Sequence, residues 1–288
     1  MLPGLLQLAR PKDWIKNIFV LIPLPFAWMA GERSGFDLLV FLLGLGGFCL
    51  VNSGVYTLND LLDAEADRLH PRKRDRPIAA GSVAPEVALL EAAVLLAAGL
   101  GLCFATGRGG VMALVLAYVA INGGYSLGAK HVALLDVFLL SSGFVIRVLL
   151  GCALIGAPPS AWLLLCTSSL ALFLGFAKRK ADLVVGLDHN HRPSLQGYSV
   201  TFLDHAMMIC AGVALLSYAL YSMDSAVFAK GREMASMPFV AFGILNYLRL
   251  ADTGNAGDSP VDIAFSSRSS QICALGWVLA ILWSLKLW

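Results

Sequence analysis

Residues 38–67 read L-L-V-F-L-L-G-L-G-G-F-C-L-V-N-S-G-V-Y-T-L-N-D-L-L-D-A-E-A-D. Positions 38–58 carry no charge and, at about 1.5 Å per residue, reach across the ~30 Å hydrocarbon core of a bilayer. The next nine residues then bring four acids, Asp60, Asp63, Glu65 and Asp67. On a helix advancing about 100° per residue, Asp63 lies about 60° and Asp67 about 20° from Asp60, whereas Glu65 falls on the far side. Tyr56, Ser53 and Asn52 continue that face down into the apolar segment, so the stripe has the character of a cavity wall. Three like charges on one stripe repel unless a cation neutralises them. Oxygen ligands with room for water suit Mg²⁺ bridging to phosphate, which makes Asp60, Asp63 and Asp67 the candidate metal ligands. A solvated acidic loop that merely ends a helix is the plainer alternative.

The whole chain repeats the apolar theme. Of its 288 residues 58% are hydrophobic and 14% charged, and the mean hydropathy is +0.75. A soluble domain has nearly twice that charge, so the composition excludes one and indicates an all-α integral membrane protein. Windows long enough to cross the bilayer predict nine transmembrane helices, at 14–30, 36–58, 85–105, 110–127, 133–155, 160–180, 203–223, 234–250 and 270–287. The first is read as a retained span, without a cleavage site. Residues 1–288 are read as one polytopic domain, because no polar block is large enough to fold by itself.

Nine spans put the N-terminus and the connections after the even-numbered spans on one side. That side holds Arg10, Lys12, Lys16, Arg68, Arg72, Lys73, Arg74, Arg76, Lys130, Lys178, Arg179, Lys180, Arg192, Arg249 and Arg268, most of the 21 basic residues. The positive-inside rule makes it cytoplasmic, and the acidic stripe and the longest polar stretches lie there too. The opposite connections are short turns. The six cysteines fall within spans without paired spacing and read as packing residues, as do Gly44, Gly46, Gly47, Gly99 and Gly101.

Cations crowd the acidic stripe. Arg72, Arg74 and Arg76 follow it directly. Tyr125, Lys130 and His131, then Lys178, Arg179 and Asp182, then Arg192, come from other cytoplasmic connections. Each group alone suits topology or snorkelling. Together they form a cationic rim round an anionic centre, as phosphate-rich substrates require. Arg147 stands within the fifth span with Asp136 on the same helix face, and a tie between helices is as reasonable for it as ligand contact. His70, His189, His191 and His205 show no metal-ligand spacing.

The pattern N-D-x-x-D-x-x-x-D, filled by Asn59, Asp60, Asp63 and Asp67, resembles that of the UbiA superfamily of nine-helix intramembrane prenyltransferases. Further segments extend the likeness over nearly the whole chain: R-P-K-D-W-I-K-N at 10–17, the continuation to Gly81, Y-S-L-G-A-K-H at 125–131, S-S-G-F-V-I-R at 141–147, K-R-K-A-D-L at 178–183 and R-P-S-L-Q-G-Y at 192–198. Their combination is similar to the branch that transfers phosphoribose to decaprenyl-type lipid phosphates. The second Asp-rich motif of the aromatic prenyltransferases is absent, and Lys180-Ala181-Asp182 replaces that branch's Tyr-Ala-Glu.

The resemblance implies a UbiA-like bundle with a cytoplasm-facing cavity in a bacterial inner membrane, in a cell-wall pathway. It implies Mg²⁺ on Asp60, Asp63 and Asp67, phosphoribosyl diphosphate as donor, a polyprenyl phosphate lipid as acceptor, the bilayer as surroundings and no nucleic acid. Lys16, Asn17, Tyr56, Asn59, Arg72, Arg74, Arg76, Tyr125, Lys130, His131, Arg147, Lys178, Arg179, Asp182 and Arg192 are the expected substrate-binding residues. An aromatic prenyltransferase is the rival enzyme and a transporter of anionic solutes the rival outside catalysis. One-sided polar clustering disfavours the transporter, which needs a site reachable from both faces.

Overall fold

The computed structural model describes residues 2–25, 36–69, 73–184, 193–224, 227–252 and 267–285. Arg72, Arg192, His70, His189 and His191 lie outside them. The described residues form helices α1 (Leu2–Ala9), α2 (Leu38–Leu62), α3 (Ala64–Leu69), α4 (Pro85–Ala105), α5 (Gly109–Ser126), α6 (Leu135–Ile155), α7 (Ala161–Val184), α8 (Val200–Asp224), α9 (Met237–Asp252) and α10 (Arg268–Ser284). Short 3₁₀ helices run over Pro11–Val20, Ala129–His131 and Pro193–Gly197. Among the described residues six helices, α2 and α4 to α8, are long and apolar enough to cross a membrane. Of the other three predicted spans, α9 and α10 are described over 16 and 17 residues.

The remaining one, expected as an α-helical span from residue 14, is described to residue 25 and is a 3₁₀ helix over Pro11–Val20. Ten residues is long for this form, whose side chains eclipse every third position. That period explains its stability here, because it sorts the sequence into three faces. Asn17 and Val20 are buried on the first face, and the partly exposed Trp14 turns its indole N–H to it: Trp14 Nε1 donates to Ser53 Oγ at 2.9 Å and Asn17 Nδ2 to Cys49 Sγ at 3.1 Å. Asp13 and Lys16 pair at 2.6 Å on the second face. Ile15, Ile18 and Leu21 form an exposed apolar third. An α-helical period would turn each third residue by about 60°, carrying Val20 about 120° from Trp14.

Two compact units divide the chain. The first contains residues 1–28, 32–131 and 146–158. Its core joins Phe41, Phe48, Val51 and Val55 of α2 to Cys103, Val111, Val115, Tyr118, Leu150 and Leu154. Helix α2 starts at Asp37, whose side chain accepts from Leu39 and Val40 N–H at 2.8 and 3.2 Å and so caps two free donors. It meets α4 through glycine: a Cβ on Gly99 would lie 2.6 Å from the Gly47 carbonyl oxygen, and one on Gly47 only 2.8 Å from that of Gly99. Gly46 and Gly101 face open space, so only part of the small-residue pattern serves packing.

The second unit, residues 29–31, 132–145 and 159–288, is centred on α7 and α8. Phe173, Phe176 and Ala177 pack with Leu203, Met207, Ala211 and Ala214. Outward positions of these helices, such as Ile209 and Leu216, are apolar and exposed, as bilayer solvent requires.

Candidate functional site

In the first unit the acidic stripe does not remain on one helix. Helix α2 ends at Leu62, and Asp63 caps it at φ −92° and ψ 0° before α3 begins. This break redirects the three carboxylates. Asp60 and Asp67, each 3% exposed, converge on one nitrogen: Arg76 Nη1 lies 2.8 Å from Asp60 Oδ1 and 2.7 Å from Asp67 Oδ2. Asp63 turns instead to Lys130 Nζ. Glu65 is exposed, on the far side as its phase requires.

Arg10 supplies a second cation, its Nη2 lying 2.5 Å from Asp60 Oδ1. The residue occupies the left-handed region at φ 47° and ψ 55°, directly before Pro11. Both the Cβ and the following proline disfavour that conformation. The ion pair is a reason for it to persist. Burial opposes the Arg10 charge, but the hydrogen bond and charge of Asp60, with Asp13 4.0 Å away, outweigh it and raise the guanidinium pKa above its ordinary value.

Around this centre, Arg10 and Lys16 both lie 5.6 Å from the centroid of the Tyr56 ring. Asn59 Oδ1 accepts from Ser126 Oγ, and Lys73 Nζ is 3.9 Å from Asp67. Arg74 is exposed, Tyr125 half-buried and His131 exposed.

Arg147 and Asn17 face the interior. Arg147 Nε donates to Asn17 Oδ1 at 2.9 Å and Nη2 to Asn52 Oδ1 at 2.5 Å, while its guanidinium lies 5.4 and 5.3 Å from the rings of Phe48 and Tyr118. Tyr118 OH also donates to Asn52 Oδ1, at 3.1 Å. These contacts tie the Pro11–Val20 segment to α2, α5 and α6.

In the second unit Asp136 is fully buried, accepting from Tyr198 OH at 2.6 Å and Ser194 Oγ at 3.0 Å. Arg179, 1% exposed, pairs with it at 3.1 Å and with Asp182 at 2.8 Å. Lys180 pairs with Asp204 at 2.6 Å and with Asp252. Lys178 is exposed. The expected run of three neighbouring cations is therefore split: two are buried among carboxylates because they fall on inward positions of α7.

Among the described residues no three His, Cys, Asp or Glu side chains gather as metal ligands. The donor chemistry nevertheless fits Mg²⁺, because Asp60 and Asp67 aim oxygens at one positive centre. Mg²⁺ commonly takes one or two carboxylates and completes its shell with water and phosphate. Sequence reasoning missed Arg10, Ser126, Trp14 and Tyr118. Arg10 and Trp14 stand in the R-P-K-D-W-I-K-N segment and Ser126 in Y-S-L-G-A-K-H, so their signal was membership of those segments, and for Arg10 also a charge set immediately before a proline at the entry to an apolar run.

This chain belongs to the UbiA prenyltransferase family, whose model matches residues 20–265. A solved UbiA homologue from Archaeoglobus fulgidus, bound to GPP and Mg²⁺, shares the fold with a TM-score of 0.72 at 18% identity, over 97% of each chain. More particularly, the chain is 35% identical to a decaprenyl-phosphate phosphoribosyltransferase of Corynebacterium glutamicum, over 96% of its own length and 85% of the relative's. It is 32% identical to the decaprenyl-phosphate phosphoribosyltransferase of Mycobacterium tuberculosis, over 98% and 94%.

Proposed function

We propose that this membrane protein transfers 5-phosphoribose from phosphoribosyl diphosphate to a polyprenyl phosphate of decaprenyl type, releasing diphosphate. The observation that carries this is the near end-to-end similarity to two decaprenyl-phosphate phosphoribosyltransferases at 32 to 35% identity. The meeting of Asp60 and Asp67 with Arg10 and Arg76 gives it a chemistry.

Bound Mg²⁺ would supply the charge that stabilises the departing diphosphate. Asp60 and Asp67 would hold it, with Asp63 joining on release from Lys130. Arg76, Arg10, Lys16 and Lys130 then present donors to phosphate oxygens, Arg76 and Arg10 as forks. Tyr56 and Asn59 border the same centre and orient the ribose. The acceptor phosphate is already ionised, so attack on ribose C1 needs no strong general base, and positioning with electrostatic stabilisation is the residues' task. Arg147 and Asn17 serve as the scaffold that fixes the Lys16 segment. We assign Lys178, with Arg72, Arg74, Tyr125, His131 and Arg192, to further phosphate contacts, and Arg179 and Asp182 to ordering the second unit.

We further read nine spans in one membrane domain, with α9, α10 and the segment that begins at Pro11 completing the six long helices. The site faces the cytoplasm of a bacterial inner membrane, a reading supported by the one-sided basic residues.

The test incubates detergent-purified protein with Mg²⁺ and labelled phosphoribosyl diphosphate, with and without polyprenyl phosphate, and looks for labelled lipid. Lipid labelling that requires both is expected. Prenylation of an aromatic acceptor from geranyl diphosphate, with no labelled phosphoribosyl lipid, would replace this reading by the aromatic prenyltransferase one.

A further inference from the structure

Helices α9 and α10 meet along a groove of about 470 Å³, lined by Pro238, Phe239 and Phe242 of one and Ser269, Ile272 and Cys273 of the other. Gly276 lets the Phe239 ring lie against α10, where a Cβ would come within 2.2 Å of it, and Cys273 Sγ donates to the Phe239 carbonyl at 3.0 Å. The lining is apolar except at its Ser269 end. There a buried amide joins the helices: Asn246 Nδ2 donates to Ser269 Oγ at 3.2 Å and Ser270 Oγ at 3.1 Å, and its Oδ1 accepts from Arg249 Nη2 at 2.9 Å. Arg249 is thereby held toward the first turn of α10, which opens with Arg268. Both arginines are exposed, and among the described residues neither pairs with a carboxylate; Asp252, one turn beyond Arg249, is taken by Lys180. The hydroxyl of Ser267, the N-cap of α10, bonds that of Ser269 at 2.6 Å and caps no backbone N–H.

Two guanidinium groups, serine hydroxyls and the positive end of a helix dipole suit a phosphate. The apolar lining that continues from them suits a hydrocarbon chain. From Asn246 to Pro238 α9 advances about 12 Å, close to the ~15 Å half-thickness of a bilayer core. A free anion would not use the groove, and a neutral lipid would not match the arginines. We propose that the α9–α10 groove binds one anionic glycerophospholipid, its phosphate on Arg249 and Arg268 and an acyl chain along Phe239, Phe242 and Ile272. A polyprenyl phosphate fits less well, because its chain is several times longer than the groove. The inference goes beyond the transfer reaction and rests on one part of the reading under Proposed function, that α9 and α10 span the membrane, which sets the two arginines at headgroup level.

Native mass spectrometry of the full chain, released from detergent micelles, would count phosphatidylglycerol bound across a titration. Phosphatidylcholine with the same acyl chains and a polyprenyl phosphate form separate arms. One phosphatidylglycerol should saturate the site, and phosphatidylcholine should bind it about tenfold more weakly or worse, lacking net negative charge. Arg249→Gln and Arg268→Gln should each weaken phosphatidylglycerol about tenfold, the loss of one charge-assisted contact, and Arg249→Lys less. Ile272→Trp, which fills the groove but keeps both charges, should weaken it as well.

Should Arg249→Gln fail to fold because Asn246 loses a partner, the exposed Arg268 carries the test. Equal binding of the two glycerophospholipids, or wild-type affinity in the arginine variants, would reduce the groove to ordinary bilayer contact and overturn the proposal. Preferential binding of the polyprenyl phosphate, lost in the same variants, would overturn it in favour of a second acceptor site. Binding is read without turnover, so the transferase reading and this one fail separately.

Discussion

Replacing Arg147 with Met tests whether a buried cation is a strut or a ligand contact. The side chain is 3% exposed and has Asn17, Asn52, Phe48 and Tyr118 as neighbours. Met keeps much of the apolar volume but leaves Asn17 Oδ1 without its 2.9 Å donor, whereas Asn52 Oδ1 still accepts from Tyr118. One stranded acceptor costs about 1–3 kcal/mol. Loss of the two ring faces adds about 0.5–2 kcal/mol each, while removal of a buried charge returns part of the total. We expect a net destabilisation of about 2–4 kcal/mol. Asn17→Leu in the Arg147→Met background should cost less than it does in the wild type, because the acceptor that lost its donor is then gone, with a coupling of about 1–2 kcal/mol. Unfolding in detergent by heat or denaturant reads stability, and the transfer assay reads kcat and KM on the surviving folded fraction. Full stability together with a large rise in KM for either substrate would refute the strut and make Arg147 a ligand contact.

Asp60→Asn should abolish transfer while the protein remains extractable, and near-normal turnover at saturating Mg²⁺ would remove Asp60 from the metal site. Glu65→Gln should leave activity nearly unchanged, and a loss matching that of Asp60→Asn would indicate a diffuse acidic patch. Gly99→Ala should destabilise by about 1–3 kcal/mol because its Cβ would meet the Gly47 carbonyl, while Gly101→Ala serves as a near-neutral control; equal effects would refute the close crossing of α2 and α4. Tyr198→Phe removes the hydroxyl that serves Asp136 and the Leu134 N–H. Burial first, and the Asp136 carboxylate next, raise the Tyr198 pKa above the ordinary 10.0, so its stabilisation is present below that value and declines as pH rises past it. The stability gap between wild type and Tyr198→Phe should therefore narrow above about pH 10, and a constant gap would contradict it.

Much of this was legible along the chain because the bilayer imposes a one-dimensional rule. Apolar length alone marked α2 and α4 to α8, since backbone polar groups in lipid must be satisfied within each helix. The identity of the acids at 60, 63 and 67 was equally open to reading, as was the placing of Glu65 on the opposite face. Periodicity could not show that α2 stops at Leu62, because a helix phase assumes the helix continues. Only the tertiary structure therefore separates Asp63, facing Lys130, from the Asp60 and Asp67 pair. For the same reason Arg10, fifty positions before Asp60, entered the site only through folding. Pro11–Val20 shows the converse: its apolar content indicated a span, but contacts with Ser53 and Cys49 selected a three-residue period. Arg147 and Asp136 share a face of α6 in sequence, yet one is held by amides and aromatic rings and the other by hydroxyls and Arg179. Sequence determines which groups are costly to bury, and the packed structure determines which partners offset that cost.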